Sequence, residues 1–161
     1  MRVEQIDLLA DLDLEPIMVK AMDGDEGYGW NIEYTRSVSN EYKRFLALCM
    51  HFPDEAIVPS APIDDFWHLH ILDTQKYADD CHSYLGYFLH HFPYFGMRGD
   101  EDRENLDAAW KKTLIRYELT FGEQPDSILW PRSKRCPNCG RKSTNDATMN
   151  RRPRLADLVP A

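Results

Sequence analysis

The sequence predicts an all-α fold: an irregular bundle of four to five helices carrying a mostly unstructured basic tail. Three observations predict it. Apolar residues recur at three- and four-residue steps over long stretches. No alternating strand pattern runs longer than three or four residues. Glycines and prolines fall between the periodic stretches rather than inside them.

Residues 3–23 read as one or two short helices, with Pro16 suited to a first turn ahead of Ile17, Met18, Val19 and Ala21. Asp23-Gly24-Asp25-Glu26-Gly27 is a turn. A second helix is predicted over about 31–52, where Tyr34, Val38, Tyr42, Phe45, Leu46 and Cys49 share one side, and Pro53 ends it. Val58 to Pro62 is an extended connector. No Gly or Pro occurs from Ile63 to Leu85, so one helix of up to about 22 residues is expected there, with Asp64 and Asp65 in its first turn. Phe88 to Gly96 is an aromatic, His-rich loop. A further helix is predicted over about 101–121, with Leu106, Trp110, Leu114 and Tyr117 along one side. The organisation is therefore a helical domain over 1–125 and a basic tail over 126–161.

Charge divides the chain the same way. The net charge is −8, yet residues 131–161 hold eight Lys or Arg against two acids. The acidic body is a poor surface for nucleic acid, because phosphate contacts need a positive field. The tail is either solvated or a contact for an unknown protein or anionic partner. No apolar run is long enough to span a bilayer. The first residues, Met1-Arg2-Val3-Glu4-Gln5-Ile6-Asp7, lack the apolar stretch of a signal peptide. A cytoplasmic location is the expectation, with the four cysteines as thiols or ligands.

Five of the six histidines fall between residues 68 and 91, beside Cys81 and several acids. Imidazole and carboxylate are common ligands of divalent transition metals. Asp64 and His68 are four residues apart and share a helix face. His68 and His70 stand about 200° apart around a helix and cannot both reach one ion unless the helix is distorted. His70 instead belongs to a stripe with Ile63, Trp67, Thr74, Tyr77 and Cys81, which reads as a buried face requiring Trp67. In a straight helix Cys81 lies roughly 16 Å beyond His70, so either the helix breaks, or there are two sites, or Cys81 is a small buried apolar residue. A second group would gather Cys81, His82, His90 and His91. Asp73 is a candidate to orient a histidine.

Cys136-Pro137-Asn138-Cys139-Gly140 is half of a zinc knuckle. No Cys or His follows it, so completion needs Cys81 and His91 or a second chain. A redox pair is a rival reading, without the thioredoxin-like surroundings it requires, and an unoccupied vestige is another. No Gly-rich phosphate loop, Gly-x-Ser-x-Gly elbow or His-Glu-x-x-His helix is present.

The order Tyr42-Lys43-Arg44-Phe45-Leu46, Pro59-Ser60, Ile63-Asp64, Trp67-His68-Leu69-His70, Asp73-Thr74, Tyr77, Cys81, Gly86, His90-His91 and Pro93-Tyr94-Phe95-Gly96 resembles the glycine-rich-domain-containing-protein-like family over about residues 30–123. The resemblance implies a helical domain with a His/Cys signature and no particular reaction.

The expected function is a small helical metal-binding domain, with Asp64, His68, His70, Cys81, His91, Cys136 and Cys139 as candidate ligands. Zinc or iron suits that set. A site short of four protein ligands would allow a metal-dependent enzyme, whose substrate and catalytic residues the sequence leaves open. The alternative is a non-enzymatic module that binds a protein or an anion and uses its histidines structurally.

Overall fold

In the computed structural model, residues 9–131, 135, 140–141 and 147–158 are described. Helix α1 spans Glu15–Met22, with Pro16 in its first turn and Ile17 and Ala21 buried. The turn after it is held by Asp23, whose carboxylate accepts from the amides of Asp25 and Glu26 at 3.2 and 3.3 Å. Gly27 is obligatory there: a Cβ would sit 1.9 Å from the Lys20 carbonyl oxygen.

Helix α2, Ile32–His51, begins where the Asn31 side chain accepts from the Tyr34 amide at 2.8 Å. Its apolar face is buried along nearly its whole length, from Val38 and Tyr42 to Leu48 and Cys49. Helix α3, Ala61–Leu72, starts with Pro62 in its first turn and buries Ile63, Phe66, Trp67, Leu69 and His70.

The single helix expected over residues 63–85 is divided into three. It stops at Asp73, whose backbone turns to φ −80°, ψ 74°. Helix α4, Thr74–Asp80, restarts with the Asp73 side chain accepting from the Lys76 amide at 3.4 Å. A π-helical turn, Cys81–Leu85, follows and closes at Gly86 with φ 77°. The stripe is corrected accordingly: Ile63, Trp67, His70, Tyr77 and Cys81 are buried, but Thr74 sits just past the break and is exposed.

Strand β1, His91–Phe92, leads through a turn to helix α5, Asp100–Phe121, which carries three acids in its first turn and ends at Gly122. Asp102 organises that turn. It accepts from the Gly96 amide at 2.7 Å and pairs with the Arg98 guanidinium at 2.7 Å.

The five helices pack around one core, with the fully buried Trp67, Tyr42, Phe45, Phe66 and Ile63 where α2 meets α3. None is long and apolar enough to cross a membrane.

Several of the tail's described residues are nevertheless seated on the body, while residues 151–158 are almost all exposed. Trp130 is buried and donates to Glu41 at 2.8 Å. Arg135 pairs with Asp107 at 2.8 Å. Strand β2, Gly140–Arg141, runs antiparallel to β1 with His91 opposite Arg141. Met149 is also buried. Scattered single residues, polar and apolar, hold these contacts, so apolar periodicity does not announce them.

Candidate metal centre

Asp64 and His68 lie one turn apart on α3, and β1 carries His91 to the same place. His91 Nε2 stands 2.9 Å from Asp64 Oδ1, and His68 Nε2 stands 3.1 Å from Asp64 Oδ2. The two imidazole nitrogens are themselves 2.9 Å apart. Among the described residues these three side chains are the one group whose ligand atoms converge this way. Asp64 and His91 are nearly buried, at 7% and 10% side-chain exposure, whereas His68 is 42% exposed. The cluster thus has a buried floor and one open side.

Packing aims the rings. His91 lies against Trp67, ring centres 4.5 Å apart, and against His68 at 4.8 Å. Trp67 is held by its indole N–H, which donates to Tyr77 at 3.0 Å, and the Tyr77 hydroxyl donates to the Leu89 carbonyl two residues before His91. Burial pushes the Asp64 carboxyl up, but the hydrogen bonds and charges of His68 and His91 outweigh it, and its pKa lies below the ordinary value. The bond to Asp64 raises that of His68 against the opposing effect of burial. Asp65, next along α3, is pushed up by burial and by the Asp64 charge.

Proton accounting shows what such a cluster can do. Three short contacts join the three groups, yet two Nε2 atoms carry at most two hydrogens. With Asp64 ionised, one contact is left without a hydrogen bond: two N–H groups face each other, or a nitrogen lone pair faces another lone pair. A single cation resolves all three at once. Ligand atoms on a sphere of radius about 2.0–2.1 Å stand roughly 3 Å apart, which the observed separations match.

His70 lies apart from this cluster. Its Nδ1 meets the Tyr42 hydroxyl at 2.8 Å, and its Nε2 meets Asp80 Oδ2 at 2.8 Å. Lys76 completes the chain with a 3.0 Å contact to Asp80. Burial lowers the pKa of His70 against the opposing pull of Asp80. The adjoining cavity, lined in part by Leu46, Tyr77 and Cys81, is about 10 Å³, which leaves no room for a ligand.

Both nitrogens of His70 are thus spoken for, and its ring stays out of the group formed by Asp64, His68 and His91. The orienting carboxylate expected at Asp73 is supplied by Asp80, because Asp73 caps α4 instead. Cys81 is buried beside the Tyr77 hydroxyl and the Leu89 backbone, and burial pushes its thiol up, as it pushes Cys49 to about 12. His82 and His90 are exposed, so the group imagined around Cys81 is not assembled. Cys136 and Cys139 lie outside the described residues.

Sequence reasoning missed Tyr42 and Asp80 as partners of His70, and Arg141 beside His91. The helical period places Tyr42 on the core face of α2, but Asp80 reaches His70 only because the chain bends at Asp73.

A groove of about 560 Å³ runs along α5 beside Trp110, Leu114 and Trp130, and no histidine lines it.

No curated protein and no solved structure matches the chain. The resemblance to the glycine-rich-domain-containing-protein-like family is corrected by the family comparison, which matches the UCP032817-like family over residues 5–126. The motifs quoted for that resemblance fall inside the matched span; the helical domain that carries them makes this chain a member of the UCP032817-like family.

Proposed function

We propose that the protein binds one divalent transition metal through Asp64, His68 and His91. The observation that carries this reading is the convergence of the three groups. Two hydrogens can bridge only two of the three contacts near 3 Å, whereas one cation would join all three ligand atoms at that spacing.

Two histidines and one carboxylate suit zinc or non-haem iron(II). Three protein ligands leave at least one coordination position open. The exposed flank at His68 gives water or a small molecule access to that position. A zinc ion there would lower the pKa of a bound water and favour hydrolysis, whereas iron(II) would favour oxygen chemistry. In either case Asp64 offers the negative charge that offsets the ion, and Trp67 closes the buried side against His91.

The test is elemental analysis of untagged protein, followed by titration of the metal-free form with zinc(II) and iron(II). Close to one equivalent is expected, and it should be lost in His68→Ala and His91→Ala but kept in His70→Ala. A chain that retains neither metal at micromolar concentration would sink the reading. Equal loss in all three variants would break the distinction between His68 and His70.

A further inference from the structure

We infer that Arg141 is a positioning residue for the metal centre: it locks the tail strand β2 against both halves of the site and so sets where His91 stands relative to Asp64 and His68. The inference rests on the metal reading above and names what assembles that site.

The backbone of Arg141 lies between two segments. On one side it is paired with His91 across the β1–β2 ladder. On the other its amide donates to the Ile57 carbonyl at 3.0 Å. Ile57 and Val58 enter the connector that leads into α3, where Asp64 and His68 sit. The amide of Val58 is itself fixed by the Thr113 hydroxyl of α5 at 3.0 Å. One residue of the tail therefore spans the two chain segments that supply the ligands.

The side chain explains why this strand stays in place. Arg141 is 1% exposed, a rare state for a guanidinium. Its Nη1 donates to the Cys49 carbonyl at 2.7 Å and to the Phe52 carbonyl at 3.0 Å, both at the C-terminal end of α2. Carbonyls there lack partners within the helix and carry the negative end of its dipole. Nη2 donates to the Tyr87 hydroxyl at 3.1 Å, and the cation lies 5.5 Å from that ring's centre. Tyr87 in turn donates to the Cys49 carbonyl at 2.9 Å.

Gly140 completes the fit, since a Cβ there would come within 3.2 Å of Phe95. A strand of two residues has too little ladder to hold itself. The buried guanidinium supplies what the ladder lacks, and loss of it frees the His91 side of the site while leaving the Asp64–His68 turn of α3 intact.

The probe is cobalt(II), whose visible spectrum reports ligand number and geometry. Arg141→Met keeps the apolar stem and removes every donor. It should weaken cobalt(II) binding about 10- to 100-fold, the usual span for groups that orient a metal ligand. The bound spectrum should shift toward that of His91→Ala, and Arg141→Lys should restore part of both. Asp107→Asn loosens the same tail at its Arg135 contact and should change neither affinity nor spectrum. A folded Arg141→Met with the parent's affinity and spectrum overturns the inference.

The parent supplies a second test that depends on no variant. Coupling is reciprocal, so cobalt(II) should slow amide exchange at residues 140–141. Binding that leaves this exchange unchanged overturns the inference and leaves the metal reading standing. A parent that binds no cobalt(II), zinc(II) or iron(II) removes the metal reading, and the inference with it.

Discussion

His68 and His70 sit two residues apart on one helix and do opposite work. His70 faces the core, where Tyr42 and Asp80 take both ring nitrogens and the neighbouring cavity cannot admit a ligand. His68 faces the rim, where its Nε2 crowds a second imidazole and a carboxylate beside open solvent. The difference teaches that a histidine's role is decided by whether its partners satisfy it. At His70 hydrogens and acceptors balance. At His68 two hydrogens leave one of three contacts unbridged, and a cation would join all three. Trp67 stands between the two arrangements, its ring on His91 and its N–H on the Tyr77 that also packs against His70.

The largest effect should come from removing that divider. Trp67→Ala deletes a fully buried indole and leaves the Tyr77 hydroxyl without its donor. A loss of about 3–5 kcal/mol is expected. Chemical denaturation should show a lower midpoint with a similar slope. A variant as stable as the parent would show that the two histidine networks do not share this support.

The next effect separates the two histidines directly. His70→Ala strands the Tyr42 hydroxyl, leaves Asp80 to Lys76 and opens a hole beside α2. It should cost about 2–4 kcal/mol. His68→Ala removes a half-exposed ring with one carboxylate contact and should cost about 0.5 kcal/mol or less in metal-free protein. Thermal melts in chelator, read beside the metal titrations, check both. Comparable losses in the two variants would erase the contrast.

Much of this was legible from residue spacing. The helices predicted over about 31–52 and 101–121 match α2 and α5. The i, i+4 spacing placed Asp64 and His68 on one face, and the 200° separation set His70 apart. The break at Asp73 was not legible, because no glycine or proline marks it. An Asp serves equally as a solvated helix residue and as the cap of the next helix. That break decides which acid reaches His70. His91 could be counted among candidate ligands, but its partnership with Asp64 depends on a chain reversal through the π-turn and Gly86. Arg141 was least legible of all. An arginine in a basic tail reads as solvated, and only the carbonyls at the end of α2 show why it is buried.

The smallest predicted effect is the most discriminating, because the two histidines should tilt stability in opposite directions with pH. In metal-free protein the folded pKa of His68 is raised above the ordinary 6.5, chiefly by its bond to Asp64. The native state then binds the proton more tightly than the unfolded chain does. That stabilisation is fully present below about 6.5 and is lost as pH rises through the higher folded value. His70 is shifted the other way, its burial disfavouring the charged ring more than Asp80 favours it. Its contribution is present above the unfolded value near 6.5 and is lost as pH falls through the lower folded value. Melting temperature followed across this range in chelator should therefore show two opposed slopes. His68→Ala should flatten the decline on the alkaline side, and His70→Gln should flatten the decline on the acid side. If His70→Gln instead flattened the alkaline side, His70 would be charged in the folded protein, and its network with Tyr42 and Asp80 would be an ion pair rather than a neutral, saturated one.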